Sequence, residues 1–284
     1  MPSVLGTNVA SLWASKNLQS AQGNMANSVE RLSSGLRINR ARDDAAGLGI
    51  ANALTQQINS ADQGVRNMND GISMVQTAEG ALVQASDMAQ RILTLSVQAQ
   101  NGSLSDTQKT TINTEMKALL NGINGIETRT KFSGTALLAT SDVVIYSGKD
   151  STDSITIDGT SSGTALYKIG TTGSAGTLFS NVTSAGTTST AAWYQSVTTA
   201  ASAYITTLDT QRGKLGALQN QLEYSVNNTV ELSANLSAAR SRVIDTDYAT
   251  ETAKLTKGQI LQQAATAMLA QANQMPNVIL SLLK

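Results

Sequence analysis

AAGLGIANALTQQINSADQGVRNMNDGISMVQTAEGALVQASDMAQRILTLSVQAQ, residues 45–100, is the stretch that decides the fold. Ile58, Ala61, Val65, Met68, Ile72, Val75, Glu79, Leu82, Ala89 and Leu93 recur at steps of three and four or their sums, the spacing of a helix with one packed face. Roughly 55 residues at 1.5 Å rise make a rod of about 80 Å, far longer than an ordinary globular helix. Asn101-Gly102 ends it, since both residues tolerate the left-handed conformation of a helix C-cap. A shorter helix follows from about Ser105 to Arg129, with Ile112, Met116, Leu119, Ile123 and Ile126 as its stripe, and folds back antiparallel on the rod.

Downstream, Phe132 to about Ala192 changes character. Gly, Ser and Thr crowd it, and Val143–Tyr146, Ile155–Ile157 and Leu166–Ile169 are short strand-like runs between turn residues, which predicts a small cap of β-hairpins. Helical spacing resumes near Ala192. Leu215, Leu218, Leu222, Ser225, Thr229, Leu232, Leu236, Ala239 and Val243 make a second rod, interrupted by Asp245 and Asp247.

Both ends of the chain carry a matching signal. Leu18, Ala21, Met25, Ser28 and Leu32 form a stripe that Leu5, Val9 and Leu12 extend backward, and Leu261, Ala265, Met268, Ala272, Met275, Ile279 and Leu282 form another. Such helices gain most of their stability from burying the stripe, so the two ends are predicted to pair. Gln262, Gln263, Gln271, Asn273 and Gln274 on the opposite face of the last helix suit a crowded interface. Pro2 fits a first helical turn, and Pro276 is expected to bend or locally unwind the terminal helix. Between the first helix and the rod, Arg31, Arg37, Arg40 and Arg42 precede Asp43 and Asp44, read as an ion-paired connector that ends in a helix N-cap.

Composition narrows the function. Cysteine and histidine are both absent, which excludes thiolate and imidazole metal sites, thiol nucleophiles and Ser-His or Cys-His catalytic pairs. The 20 basic residues balance the 20 acidic ones, so no long-range field draws nucleic acid or an anionic membrane. No run is long enough to span a bilayer, and the N-terminus lacks the basic region and continuous apolar core of a cleaved signal. The remaining motifs have plain readings. Gly47-Leu48-Gly49 lacks a third glycine and a preceding strand, and Asp43 with Asp44 or Asp245 with Asp247 are too few oxygens for Ca²⁺. The triplets at Asn101, Asn181 and Asn227 fit a glycosylation pattern common by chance. No cofactor, metal or catalytic constellation is expected. Apolar stripes at both ends find cover against each other or in copies of the chain, and head-to-tail contacts that do not close give a helical filament.

Two stretches are similar to a known family. Arg31-Leu-Ser-Ser-Gly-Leu-Arg-Ile-Asn39 with Arg42-Asp-Asp-Ala-Ala-Gly-Leu48 resembles the N-terminal signature of bacterial flagellin. Ser241-Arg-Val-Ile-Asp-Thr-Asp-Tyr-Ala249, Gln259-Ile-Leu-Gln-Gln-Ala264, Leu269-Ala-Gln-Ala-Asn-Gln274 and Leu280-Ser-Leu-Leu-Lys284 resemble the C-terminal one. The resemblance implies a mainly α fold: long antiparallel rods, terminal coiled-coil helices and a small β-hairpin region in mid-chain. It implies an inner terminal-helix domain at 1–43 and 245–284 and a rod domain at 44–244, which includes the β-hairpin region at about 132–192, with the large outer domains absent.

The implied function is a structural, non-enzymatic subunit that self-assembles into the extracellular flagellar filament for swimming, with terminal helices as inner tube and rods as the next shell. The family's terminal helices are disordered in the monomer and fold on assembly, as the cost of ordering an uncovered segment would demand. Implied partners are copies of the chain, an export chaperone of the type III route, a cap protein and hook–filament junction proteins. The polymerisation interface is placed at Leu18, Met25, Arg31, Leu32, Asp43, Leu261, Met268, Met275, Ile279 and Leu282. Some members are sensed by a Toll-like receptor through a segment resembling Gln90–Gln98, where Arg91, Leu95 and Glu115 match and Leu93 and Thr94 depart from the charged pair of strongly recognised members. The competing readings are a hook–filament junction protein, a metallopeptidase-bearing flagellin, which zero histidines oppose, and a secreted signalling ligand.

Overall fold

A computed structural model describes residues 8–138, 142–150, 152–157, 169, 173–184 and 190–282, with the side chains of 173–175 and 275–282 outside that description. Pro2, Leu5, most of the strand-like run at 166–169, and the side chains of Met275, Ile279 and Leu282 therefore lie outside the described residues. The described elements are α1 (Val9–Ser34), α2 (Ala45–Ala99), α3 (Asp106–Arg129), β1 (Lys131–Phe132), β2 (Thr135–Ala136), β3 (Val143–Tyr146), β4 (Ser154–Ile157), α4 (Gly173–Thr183), α5 (Ala191–Ile244) and α6 (Tyr248–Leu282). They form two compact units. One comprises Met1–Gln57 with Asn235–Lys284, the other Ile58–Ala234, and α2 and α5 contribute residues to both.

In the central unit, Ile58–Ala234, stripes of three helices converge, shifted by one residue at Ile92 and Leu120 from the predicted Leu93 and Leu119, which are half-buried, and extended on α5 by Tyr194, Tyr204 and Leu208. Met68, Val75, Leu82 and Ile92 of α2, Met116, Leu120 and Ile123 of α3, and Tyr194, Tyr204, Leu208, Leu215 and Leu222 of α5 share one core. Each large apolar side chain buried there contributes about 1.5–3 kcal/mol. Contacts give the chain direction. Ser96 and Gln100 of α2 meet Thr198 of α5, and Asp62 of α2 meets Ser233, so these helices run antiparallel. Ser105 caps α3 reciprocally with Gln108, and Arg91 opposite Glu115 shows that α3 also runs antiparallel to α2.

The β region is smaller than the sequence suggests. β1 and β2 are two residues each, and β3 pairs antiparallel with β4 from Val143↔Ile157 to Tyr146↔Ser154. This second hairpin lies on α2 at two glycines seven residues apart. A Cβ at Gly64 would stand 1.9 Å from the Ser147 carbonyl oxygen, and one at Gly71 would stand 2.2 Å from Ile145 Cδ1. Asn67, between them, donates to the Tyr146 carbonyl.

The structure departs from three expectations. The segment read wholly as β cap contains α4, because Leu178 and Val182 are buried in the core and tertiary packing overrides the weak helix propensity of Gly, Ser and Thr. The connector begins later than read, since α1 continues to Ser34 and closes on Gly35 at φ 72°, whose N–H donates to the Arg31 carbonyl. Arg31 is therefore a helical residue. The backbone of α6 also continues as helix through Pro276, where a local unwinding was expected.

Candidate functional site

In the terminal unit, α1 and α6 pack antiparallel along a seam of small and polar side chains. Ala21, Ser28, Ala265, Ala272 and Glu251 are its buried members. Gly258 brings the backbones close: a Cβ there would meet Met25 at 3.5 Å and the Ala21 carbonyl oxygen at 3.9 Å. At one end, Asn8 caps α1 by accepting from the Ser11 amide and donates its own side-chain amide to the Ala272 carbonyl at 2.7 Å. The Ser11 hydroxyl also donates to Asn273 Oδ1. One side chain thus fixes both a helix start and the register of its partner.

Farther along the seam is a polar lock. Ser28 donates to Glu251 Oε1 at 2.8 Å, Lys254 Nζ stands 3.0 Å from Oε2, and Arg31 Nη1 stands 4.0 Å from the same oxygen. Burial pushes the Glu251 carboxyl up, but hydrogen bonds from Lys254 and Ser28 and the charges of Lys254 and Arg31 outweigh it and hold its pKa below the ordinary 4.5. The sequence reading placed Ser28 on the stripe but missed Glu251. The available signal was spacing, because Glu251 precedes Gly258 by seven residues and so falls on the same face of α6.

The connector closes this unit. Leu36 bridges to Asp245, the Arg37 amide donates to the Ile244 carbonyl, the Arg37 guanidinium donates to the Val243 carbonyl, and Thr246 N–H donates to the Gly35 carbonyl. Asp43 Oδ2 accepts from the Arg40 and Asn39 amides, and its carboxyl pairs with Arg42 at 3.7 Å. The Arg40 bond first, with the Asn39 bond and the Arg42 and Arg31 charges, outweighs desolvation and holds the Asp43 pKa below 3.8. Asp44 Oδ1 accepts from the Gly47 amide, so it is the N-cap of α2.

Large apolar residues of the two helices remain on the outside. Trp13 is 60% exposed and Met268 63%, with Leu12, Ile260 and Leu261 also exposed. Trp13, Leu261 and Met268, with Asn17, Asn24 and several alanines, line an open groove of about 660 Å³ along the seam. Leu18, Met25, Arg31 and Leu32 are half-buried, and Asp43 is exposed. On the central unit, Arg91 Nη2 and Nε donate to Glu115 Oε1 at 2.8 and 3.0 Å on an exposed surface, whereas Leu95 is 2% exposed and belongs to the core. No cluster of three or more metal-ligating side chains occurs among the described residues, and no described helix is long and apolar enough to cross a membrane.

Within the terminal unit, α1 and α6 meet through small residues and a shared cap and leave large apolar side chains outward, the surface of an α-helical structural subunit. The profile described as Bacterial flagellin N-terminal helical region matches residues 5–142, and that described as Bacterial flagellin C-terminal helical region matches residues 198–283. The chain is 39% identical to "Flagellin" of Bacillus subtilis (strain 168) over 98% of both chains, and 36% identical to "Flagellin 1" of Proteus mirabilis over the whole of both. A crystal structure of Bacillus cereus flagellin, 24% identical, aligns with 62% of this chain and 94% of that one at a TM-score of 0.49. The chain belongs to the bacterial flagellin family, the structural and non-enzymatic subunits that polymerise into the extracellular flagellar filament. It is a short member: its alignment to the Proteus protein runs over 368 positions, more than its own 284 residues.

Proposed function

We propose that α1 and α6 form the inner tube of the filament and the helices of the central unit the surrounding shell. The observation that carries this reading is the exposure of Trp13, Leu261 and Met268 along a groove whose seam is already filled by alanines, with Leu12 and Ile260 also exposed on the same two helices. Exposed apolar surface of this size on a family of polymerising subunits is an interface awaiting neighbouring copies. Leu18, Met25, Leu32, Arg31, Asp43, Met275, Ile279 and Leu282 complete the polymerisation surface. Before assembly the same surface is the feature an export chaperone covers, and at the filament's ends it meets the cap and junction proteins. Delivery through the flagellar export route requires no cleaved signal.

Removal of Gln259–Lys284 tests the reading. The truncated chain is expected to remain a soluble monomer, and ordinary filaments from it contradict the proposal. The double substitution of Trp13 and Met268 by Ser keeps both helices, and is expected to raise the concentration needed for assembly. An unchanged threshold contradicts the assignment of these side chains. A junction role is distinguished by abundance: the protein is expected to dominate sheared filaments.

A second surface supports recognition by a Toll-like receptor. The Arg91–Glu115 pair is exposed and ordered by two hydrogen bonds, while Leu95 is buried in the core. A cell reporter exposed to monomer, with Arg91→Ala as control, tests this role; an equal response to the variant rejects it.

A further inference from the structure

The chain contains three Asn-Gly dipeptides, Asn101-Gly102, Asn121-Gly122 and Asn124-Gly125, and the structure treats them differently. The last two lie inside α3, where each backbone N–H is committed to the carbonyl four residues earlier. Asn101-Gly102 lies in the turn between the end of α2 and the Ser105 cap of α3, with both residues exposed. No hydrogen bond from the Gly102 N–H is found among the described residues, and a Cβ at Gly102 would meet nothing within 4 Å. The Ser103 amide donates to Asn101 Oδ1 at 3.1 Å, which folds the Asn101 side chain back over the Gly102 peptide.

We infer that Asn101 is a site of spontaneous conversion to aspartate and isoaspartate. The Gly102 nitrogen, after losing its proton to solvent base, bonds to Asn101 Cγ, and the Cγ–Nδ2 bond breaks as Nδ2 leaves with a solvent proton as ammonia. Water then opens the resulting five-membered imide at either carbonyl, which gives aspartate or an isoaspartyl link. Nothing is oxidised or reduced. The Ser103 N–H is in place to stabilise the negative charge that develops on Oδ1. The product places a carboxylate just past the end of α2, where the helix dipole disfavours it, and the isoaspartyl form adds a backbone carbon to the turn.

The full chain, held folded in mildly alkaline buffer and sampled by peptide mass mapping with isoaspartate detection, tests this inference. Conversion at Asn101 is expected at least about tenfold faster than at Asn121 or Asn124, which react only after local opening of α3. In denaturant the three are expected to react within about threefold of one another. Equal rates in the folded chain overturn the inference, and so does a tenfold gap that persists in denaturant, since flanking sequence would then explain it. Gly102→Ala, which fits the open space and has no positive φ to satisfy, is expected to slow the reaction about tenfold without lowering the unfolding temperature. An unchanged rate overturns the inference.

Discussion

The Ser28 hydroxyl of α1 donates to the Glu251 carboxylate of α6 across 223 residues of chain, with both side chains buried in the seam. A buried carboxylate between two helices is stable only in the register that brings its donors to it. Ser28→Ala removes one donor and leaves Lys254 and Arg31 in place, so it is expected to cost about 1–2 kcal/mol. Glu251→Leu removes the charge but strands the Ser28 hydroxyl, and Ser28→Ala with Glu251→Leu together is expected to recover part of that loss. A double-mutant cycle by denaturant unfolding of the full chain checks the coupling, expected at about 0.5–3 kcal/mol.

Acid should act on the terminal unit first. Glu251, Asp43 and Asp247 all have carboxyl pKa values below their ordinary 4.5, 3.8 and 3.8, with the Asp247 shift due chiefly to the Thr250 hydroxyl and then the Ala249 and Thr250 amides. A depressed folded-state pKa gives stability that is fully present above the unfolded value and is lost as pH falls through the folded one. Stability from these groups is therefore expected to stay level from neutrality to about pH 5 and to decline below it. Amide exchange followed along an acid titration should show α1 and α6 opening before the central core, and Glu251→Gln should flatten the decline.

Two glycines of α2 should respond in opposite directions. Gly64→Ala drives a Cβ into the Ser147 backbone carbonyl and is expected to cost about 1–3 kcal/mol or to lift the β3–β4 hairpin from the helix. At Gly80 a Cβ meets nothing within 4 Å, so Gly80→Ala is expected to stabilise by about 0.5–1 kcal/mol. Thermal unfolding of the two variants beside the parent chain checks both signs.

Trp13 should report assembly. It is exposed, with Lys16 Nζ 5.4 Å above its ring, whereas Trp193 sits half-buried edge-on to Tyr194. In a Trp193→Phe chain the remaining emission is expected to shift to shorter wavelength on polymerisation, as the Trp13 ring leaves water. If Trp13 is an anchoring contact worth about 2 kcal/mol, its replacement by Ser raises the assembly threshold roughly 30-fold.

The Arg91–Glu115 pair should matter little to folding. Both partners are about half exposed, so Glu115→Gln is expected to change stability by less than about 1 kcal/mol, measured by thermal unfolding. Any larger effect on a receptor response is then attributable to the surface itself.

Helical spacing in the sequence was enough to place both rods within a residue or two, from Ala45 to Ala99 and from Ala191 to Ile244, together with α3, and strand-like runs between turn residues placed β3 and β4. Those features are local, since a run of apolar residues at steps of three and four stabilises a helix wherever it packs. The signatures at Arg31–Leu48 and Ser241–Lys284 carried the family. Tertiary structure alone decided the rest. It made α4 from a Gly- and Ser-rich segment by burying Leu178 and Val182, set Glu251 between Ser28 and Lys254, and let Ala21, Gly258 and Ala265 close the α1–α6 seam while Trp13 and Met268 face outward. Periodicity specifies that a face will be covered, but which residues cover it depends on how closely two backbones approach, and that distance exists only once the distant helices have met.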